Sequence, residues 1–265
     1  MRRSKSSYVI QTVANAFQLL EEFGGEDAEL GVTELSNRLG LHKNNVFRLL
    51  ATLEQQGYIE QCPDTDRYRL GRSCLTLGQA FGETRSLVRF ARPLLSKLVR
   101  ELNETAHLGV LSGYDVVHLA GRPARQLVAT AVRTGQRLAA HCTALGKVLL
   151  AGKSPVALAQ LDKDRVRAGK LIAHTPATIV DRDKFFEQLR TVASQGWALD
   201  LEECARGLCC VAAPVHDAAG SVIAALSVSA PVFRVSESRI HDEVAPRVIA
   251  AASELSQRMG FVAAA

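Results

Sequence analysis

Two short amphipathic helices joined by a glycine, with a pair of short strands directly behind them, constrain this chain more than any other feature. The first helix is predicted in VTELSNRL, where Thr33 is the candidate N-cap, Leu35 and Leu39 face inward, and Gly40 ends the helix. The second is predicted in HKNNVFRLLATLEQQG, whose apolar residues recur at helical spacing up to Gly57. Two short helices around a tight glycine-containing turn are typical of a helix-turn-helix.

The segment that follows these helices predicts a β-hairpin. Residues 58–61 (YIEQ) and 67–70 (RYRL) have strand-forming composition and flank a Cys-Pro-Asp-Thr-Asp turn. A hairpin at this place is the wing of a winged helix-turn-helix. Another amphipathic helix is predicted upstream, because apolar residues from Val9 to Phe23 recur at helical spacing and stop at Gly24.

The rest of the chain predicts a larger domain of strands and helices. An apolar stripe with a 3.6-residue period over Leu87–Leu102 indicates an amphipathic helix. Neighbouring strands further on are joined by short turns, for example at residues 216–220, which favours an antiparallel sheet with helices packed on it, an α+β domain. The strands expected are HLGVL, VVHLA, LVATAV, Cys209–Val215 and Val222–Ser229, and the helices are Thr143–Ala151, Arg182–Ser194 and about Glu237–Met259.

The charge of the chain does not by itself point to DNA. The formal net charge is +5, but residues 1–85 hold ten Lys and Arg against eleven Asp and Glu, so the positive charge belongs to residues 86–265. A nucleic-acid function therefore has to rest on where individual cations lie. Neither end shows a charged leader followed by an apolar run, and the six cysteines lack a regular spacing. We therefore expect a cytoplasmic protein without a membrane partner.

Several motifs occur in a fixed order from Val9 to about Gly260. They are VTELSNRLGLHKNNVFRLLATLEQQGYIEQ and DRYRLG in the first part, and ETAHLGVL, LAAHCTALGKVLLA, GWALDLEE and GLCCVAAPVHDAAGSVIAALSVSAP in the second. This ordered set resembles the IclR family of transcription regulators. The resemblance implies a winged helix-turn-helix, a linker helix and a GAF-like domain that closes over a small organic ligand, in dimers or tetramers.

On this basis the chain is expected to have five parts. They are a flexible basic arm (residues 1–8), a winged helix-turn-helix DNA-binding domain (9–72), a linker helix (73–86), an effector-binding and oligomerising domain (87–260) and a tail (261–265). The expected partners are a double-stranded DNA operator, a small organic effector such as a carboxylate or aromatic acid, and further copies of the chain in a homodimer or a dimer of dimers. Neither a cofactor nor a metal is expected.

The start of the second helix of the helix-turn-helix supplies the candidate DNA contacts, because a helix in the major groove presents its N-terminal residues to base edges. Asparagine suits adenine, while lysine and arginine suit guanine or phosphate. In the hairpin, Arg67 and Arg69 alternate with Tyr68, so both should lie on one face with Arg67 nearer the tip. The alternative is that these are ordinary solvated side chains. The predicted DNA-contacting residues are Lys43, Asn44, Asn45, Arg48 and Arg67.

The candidate effector site combines a helix N-terminus with polar groups on strands. Thr143 can cap a helix whose first amides attract anions, and the two-residue period of VIAALSVS places its two serines on one face. Two other residues, an aspartate and a cysteine, match the family's ligand-contacting positions. The alternative is that the serines face water on an outer strand face. The predicted effector-binding residues are Ala144, Leu145, Asp200, Cys210, Ser227 and Ser229.

Asp200 leaves the chemical class of the effector open. An aspartate repels an anionic ligand unless it accepts a hydrogen bond from a ligand hydroxyl or is itself protonated.

Two other functions stay open on the sequence alone. A redox- or metal-responsive regulator could use Cys142, Cys204, Cys209 and Cys210 together with His141. A hydrolase could use Cys142 as a nucleophile activated by His141. Neighbouring residues on a strand face opposite ways, which makes that pair a poor catalytic arrangement, so we expect no enzyme.

Overall fold

The computed structural model describes residues 9–23, 29–84, 86–160 and 171–262, without the side chains of residues 79–84 and 86. The chain divides into two compact units, Met1–Thr84 and Arg85–Ala265. The basic arm and residues 263–265 of the expected tail lie outside the described residues. In the described part of the chain, none of the helices combines the length and the apolar character that crossing a membrane requires.

The first unit contains the three helices that the sequence predicts, α1 (Gln11–Glu22), α2 (Val32–Leu39) and α3 (Lys43–Gln55). Gly40 joins α2 to α3 with a φ of 63°, a left-handed conformation that glycine adopts without strain. The predicted cap of α2 was wrong. The N-cap is Gly31 and not Thr33, because the Glu34 carboxylate accepts a hydrogen bond from the Gly31 amide at 2.9 Å and so starts the helix earlier.

The predicted wing is present behind α3. Strand β1 (Ile59–Gln61) pairs antiparallel with β2 (Tyr68–Leu70), and α4 (Arg72–Thr84) follows. Tyr68 packs inward with 3% of its surface exposed, as the alternation predicts, and its backbone also pairs with Leu30. Burying apolar side chains of all three helices and both strands together gives the unit a single core. This arrangement confirms the winged helix-turn-helix.

The second unit is built on a six-stranded antiparallel sheet in the order β5-β4-β3-β8-β7-β6. The strands are β3 (Thr105–Ser112), β4 (Asp115–Arg122), β5 (Arg137–Ala139), β6 (Ala198–Leu201), β7 (Leu208–His216) and β8 (Val222–Pro231).

Helices cover both faces of this sheet. On one face lie α5 (Ser86–Leu102) and the C-terminal helix, which runs through α8 (Glu237–Arg239), a π-helical segment (Ile240–Val244) and α9 (Ala245–Arg258). On the other face lie α6 (Ala144–Ala151) and α7 (Arg182–Gln195), and residues 155–160 are also helical. The predicted α+β class, with helices flanking an antiparallel sheet, is confirmed.

Strand β8 shows how the sheet separates its two faces. Leu226 and Val228 pack in the core formed with α5 and α9, whereas Ala225 belongs to the core formed with α6 and α7. Because side chains alternate along a strand, Ser227 and Ser229 lie on the same side as Ala225. Both serines are buried, so the alternative that they face water is wrong.

Two predictions about the second unit need correction. LVATAV (residues 127–132) is irregular, and β5 pairs with β4 in its place. The irregular segment is held to the first residue of β3 by a side chain instead of a backbone ladder, since Thr105 Oγ1 donates to Thr130 O at 2.8 Å. Strand β6 was not predicted, because it is only four residues long.

Candidate functional site

The exposed face of α3 carries the four helix residues predicted to contact DNA. Val46, Leu49 and Leu50 are buried in the core of the unit, which turns the opposite face of α3 to solvent. Among the described residues, none of the four predicted side chains makes a hydrogen bond or an ion pair. These exposed residues are Lys43, Asn44, Asn45 and Arg48.

Ion pairing distinguishes α3 from the rest of the first unit. Of its described lysines and arginines, Lys43 and Arg48 are the two that pair with no carboxylate, while the arginines elsewhere in the unit do. Those paired are Arg38 with Glu22, Arg67 with Glu34, and Arg69 and Arg72 with Glu60. An unpaired, solvated cation can neutralise a phosphate without first losing an internal partner.

The wing differs from what the sequence predicts in one respect. The Arg67 guanidinium donates to the Glu34 carboxylate at 2.6 Å and to Glu29 O at 2.9 Å, so it also ties the wing to α2. Arg67 must therefore share or release these partners to reach a phosphate. Arg69 has the more exposed side chain of the two, at 55% against 41%.

In the second unit all six predicted effector residues line one cavity, on the side of the sheet that carries α6. The cavity encloses about 420 Å³ of space free of atoms, including its mouth, but only about 30 Å³ is open to the centre of a water-sized sphere. On that measure it holds two or three water molecules, since one water needs roughly 10–15 Å³. A ligand of more than a few atoms must therefore widen it.

The sheet register places the polar residues of the cavity in a row. Asp200 on β6 lies opposite Cys210 on β7, and Cys210 lies opposite Ser229 on β8. The Cys210 thiol and the Ser229 hydroxyl are 3.1 Å apart. One strand further along, His107 on β3 lies opposite Ser227. Residues far apart in sequence thus meet because the strand order brings them together.

Asp200 is the most unusual member of this row, with none of its surface exposed. Its Oδ1 accepts hydrogen bonds from the amides of Glu203 at 2.8 Å and Cys204 at 3.2 Å, but within the described structure Oδ2 has no hydrogen-bond partner. Burial raises the pKa of the Asp200 carboxyl to about 7. At neutral pH the carboxyl is therefore protonated in a large fraction of molecules, and can donate a hydrogen bond from Oδ2.

The N-terminus of α6 forms another part of the wall. Thr143 caps the helix as predicted, accepting a hydrogen bond from the Gly146 amide at 3.2 Å, while the amides of Ala144 and Leu145 have no partner within the helix. Gly146 is required here, because a Cβ would lie 2.1 Å from the carbonyl oxygen of Ala140. The helix can therefore begin close against the preceding 3₁₀ turn, Ala140–Cys142.

A buried ion pair lies behind this wall and was missed from the sequence. Lys147 on α6, with none of its surface exposed, donates to the Glu203 carboxylate and, at 2.9 Å, to Leu199 O. Asp200 and Glu203 are also joined directly, because the Glu203 amide donates to Asp200 Oδ1. Burial raises the pKa of both carboxyls, and the positive charge of Lys147 lowers both. A lysine within the apolar run LGKVLLA is the signal that could have revealed the pair.

Four further polar residues of the cavity, which no prediction from the sequence had named, were also missed. They are His107, His118, Thr130 and Arg133. The two histidines interrupt otherwise apolar strands, which is the signal the sequence offered. Burial lowers the pKa of His107 to about 4 and that of His118 to about 3, so both imidazoles are neutral at pH 7.

Three of the four cysteines considered for redox or metal sensing lie at or beside the cavity, because Cys204 and Cys210 line it and Cys142 contacts Cys204. Cys209 lies in the core on the opposite face of the sheet from the cavity. Cys142 and Cys204 do contact each other, and this hydrogen bond, together with burial, raises the pKa of the Cys142 thiol. The same hydrogen bond lowers the pKa of the Cys204 thiol. Cys142 is therefore protonated at neutral pH, which makes it a weak nucleophile.

His141 and Cys142 lie in a 3₁₀ turn and not on the strand assumed from the sequence. The turn brings their ligand atoms, together with one from His174, within 4.8 Å of one another. His141 Nε2 hydrogen bonds to Ile172 O at 3.0 Å, a contact that orients the other ring nitrogen. Nitrogen and sulfur donors in this number suit zinc.

An exposed cationic helix in a winged helix-turn-helix, joined in one chain to a unit that encloses a polar cavity, defines a DNA-binding regulator with an effector-binding domain. Family models agree. Residues 12–63 match the IclR helix-turn-helix domain, and residues 80–257 match the bacterial transcriptional regulator IclR C-terminal domain. The chain belongs to the IclR family of transcriptional regulators.

Curated relatives place the protein among transcription regulators and not among enzymes. It is 35% identical to the HTH-type transcriptional regulator XynR of Escherichia coli over 88% of this chain and 90% of that one. It is 34% identical to the regulator KdgR of Escherichia coli over 95% and 94%. A solved IclR regulator from Silicibacter sp. superposes with a TM-score of 0.82 at 28% identity, covering 96% of this chain and 98% of that one.

Proposed function

We propose that this regulator binds its operator with the first two turns of α3 and is controlled by a small organic acid that occupies the cavity of the second unit. The observation that carries the proposal is the meeting of the six predicted effector-binding residues in one cavity with a mostly apolar lining. Sites for small organic ligands are concave, mostly apolar and fitted with a few converging polar groups.

In the DNA-binding part, Asn44 and Asn45 read base edges while Lys43 and Arg48 contact guanine or phosphate. Arg67 adds a backbone contact from the wing. The support is that the α3 side chains are exposed and, in the part of the chain that the structure describes, unpaired. Footprinting on the regulator's own promoter tests this, because substitution of Asn45 by alanine should change the preferred base at one position, whereas loss of Lys43 should weaken all sequences alike.

In the effector-binding part, the acid's carboxylate lies against the amides of Ala144 and Leu145 and the hydroxyls of Ser227 and Ser229. Asp200 in its protonated form donates to the same ligand, which resolves the repulsion expected of an ionised aspartate. A solved IclR homologue from Microbacterium hydrocarbonoxydans, which shares this fold with a TM-score of 0.79 at 21% identity, was crystallised with 4-hydroxybenzoate. That complex supports a small organic acid, such as an aromatic carboxylate, as the effector of this chain.

A thermal-shift screen of aliphatic and aromatic acids tests the effector proposal. A ligand at 100 times its dissociation constant stabilises a protein by about 2.7 kcal/mol. The double variant Ser227→Val and Ser229→Val should lose the shift, while Ser221→Val, in the turn before β8, should keep it. A shift that survives in the double variant places the ligand elsewhere.

The regulator acts as a homodimer or a dimer of dimers in the cytoplasm. An operator with two half-sites requires two recognition helices, which one chain does not supply.

The trio His141, Cys142 and His174 favours a second candidate function, control by zinc. In that case zinc changes the DNA affinity of the protein, His174→Ala abolishes the change, and organic acids have no effect. His216→Ala, outside the trio, is the matched control.

A further inference from the structure

His118 is a buried side chain whose ring nitrogens have no hydrogen-bond partner in the part of the chain that the structure describes. It lies on β4 with 4% of its surface exposed, and across the described residues neither ring nitrogen makes a hydrogen bond. Buried polar groups are normally hydrogen-bonded, because a missing partner costs about 1–3 kcal/mol. Since the ring lines the cavity, a ligand in the cavity can supply the missing partner.

His107 stands beside His118 and shares this property in part. The two rings meet edge to face with their centroids 5.2 Å apart. His107 Nε2 is 3.4 Å from Ala131 O, whereas its Nδ1 is buried with no partner that the structure describes. Two adjacent histidines of the cavity lining therefore hold three ring nitrogens that lack a hydrogen-bond partner among the described residues.

Arg133 adds a positive charge at this end. It lies in the segment that joins β4 to β5, which is tied to β4 because the Gly135 amide donates to His118 O at 2.8 Å. Arg133 lines the cavity and is partly buried, and with the residues described it makes neither an ion pair nor a hydrogen bond through its side chain. Its charge lowers the pKa of both histidines, so it lies within electrostatic reach of them.

The two polar ends of the cavity are separated by the width of several strands. The row at the other end reaches from Asp200 on β6 to Ser229 on β8, while His118 lies on β4. Ser227 and Ser229 on β8 are two strand spacings from His118 on β4, about 10 Å in a flat sheet and less in a curled one, and His107 on β3 lies between them, opposite Ser227. Side chains reach inward from both ends. Arg133 and His118 are therefore available to a second acidic group of the same ligand.

We propose that Arg133, His118 and His107 form a second acid-binding subsite, so that the effector is an organic acid with two separated acidic groups. This deepens the proposed function and rests on it. One carboxylate lies at the N-terminus of α6, and the second lies at Arg133, which offers the planar pair of donors that suits a carboxylate. His118 donates to the second carboxylate, and the chain between the two groups crosses the apolar middle of the cavity.

Isothermal titration of the full chain with matched acids tests the proposal at constant pH and ionic strength. The pairs are hexanoate with adipate, and benzoate with terephthalate. We expect each dicarboxylate to bind at least tenfold more tightly than its monocarboxylate. Arg133→Gln should abolish that preference and leave the affinity for the monocarboxylate within about threefold. Arg125→Gln removes an exposed arginine of the same segment outside the cavity and should keep the preference.

The variant His118→Leu distinguishes a role of His118 in ligand binding from a role in stabilising the fold. The variant should lose affinity for the dicarboxylate while its melting temperature rises, because an unsatisfied buried polar ring is replaced by an apolar side chain. A lower melting temperature would show that His118 stabilises the folded protein, and would contradict its role in ligand binding.

The outcomes separate this inference from the proposed function. If the wild-type protein binds both members of a pair equally, or if Arg133→Gln keeps the preference, the second subsite is wrong while acid binding at Ser227 and Ser229 stands. If none of the four acids binds, the organic-acid effector and the subsite both fail.

Discussion

The two units of this regulator place their polar groups in opposite ways. Every buried polar or charged side chain that the structure describes belongs to the second unit, among them Lys147, Asp200 and Glu203. The core of the first unit is apolar apart from the Tyr68 hydroxyl, and its charged groups lie on the surface. Surface charges suit the first unit, which would contact a DNA duplex with its exposed side chains. Buried polar groups suit the second unit, which would enclose a small molecule.

This difference has an energetic consequence. Exposed charges contribute little to folding, so residues on α3 can change DNA binding without changing stability. Removing one partner of a buried ion pair lowers the stability strongly, because the other charge is left uncompensated in a medium of low dielectric constant. The two units should therefore respond to substitution in different ways.

Loss of the buried lysine should have the largest effect. Lys147→Met leaves Glu203 unpaired, and we expect the free energy of unfolding to fall by about 3–5 kcal/mol. Urea denaturation measures it. Lys153→Met, just after the same helix, should change stability by less than about 0.5 kcal/mol. If Lys147→Met changes the free energy of unfolding by less than about 1 kcal/mol, Lys147 and Glu203 do not form the ion pair in solution.

The pH dependence of Asp200 comes next. The pKa of this carboxyl rises from an ordinary value near 4 to about 7 on folding, so its contribution to stability is present at low pH and is lost as pH rises toward and through 7. Three pKa units correspond to about 4 kcal/mol at most. Asp200→Asn, which stays neutral, should remove that dependence between pH 5 and 8.

The control for this measurement is Asp183→Asn, whose side chain is 97% exposed. It should keep the pH profile of the wild-type protein. An identical profile in Asp200→Asn would mean that the Asp200 carboxyl is ionised throughout this range.

Arg48→Ala should affect binding alone. We expect specific DNA binding to weaken by about 1–3 kcal/mol with an unchanged free energy of unfolding. Fluorescence anisotropy on specific and random duplexes measures the loss. Arg190→Ala, which removes an exposed charge from α7, is the control for net charge. Equal losses on both duplexes would limit Arg48 to phosphate contact.

The smallest effect is expected at the surface pair of Arg69 and Glu60, which are 3.3 Å apart. Glu60→Gln should change stability by at most about 1 kcal/mol. A loss comparable to that of Lys147→Met would remove the distinction between the two units.

The sequence predicted the first unit better than the second, for a physical reason. The helices and hairpin of the first unit follow from local periodicity, and even its one wrong cap moved by only two residues. In the second unit, periodicity placed Ser227 and Ser229 on the cavity side, and helix capping identified Thr143. These signals also act within a few residues.

The rest of the cavity depends on strand order, which local patterns do not encode. His107 and His118 meet because β3 pairs with β4, and Asp200 joins the row because β6 lies beside β7. Arg133 lines the cavity from the residue that directly follows the LVATAV segment, which is irregular and not the predicted strand. Lys147 and Glu203 are 56 residues apart in sequence, so the apolar run around Lys147 could signal a buried charge but could not identify Glu203 as its partner.

The most direct test of the account is the affinity of the regulator for its own promoter at physiological salt, with and without the acid that gives the largest thermal shift. The account predicts a preference for the promoter over scrambled duplex, and a change in promoter affinity on adding the acid of about 5- to 150-fold. In the double variant Ser227→Val and Ser229→Val, the preference should persist and the response to the acid should disappear. Equal binding of promoter and scrambled duplex, or an unchanged response in the double variant, would contradict it.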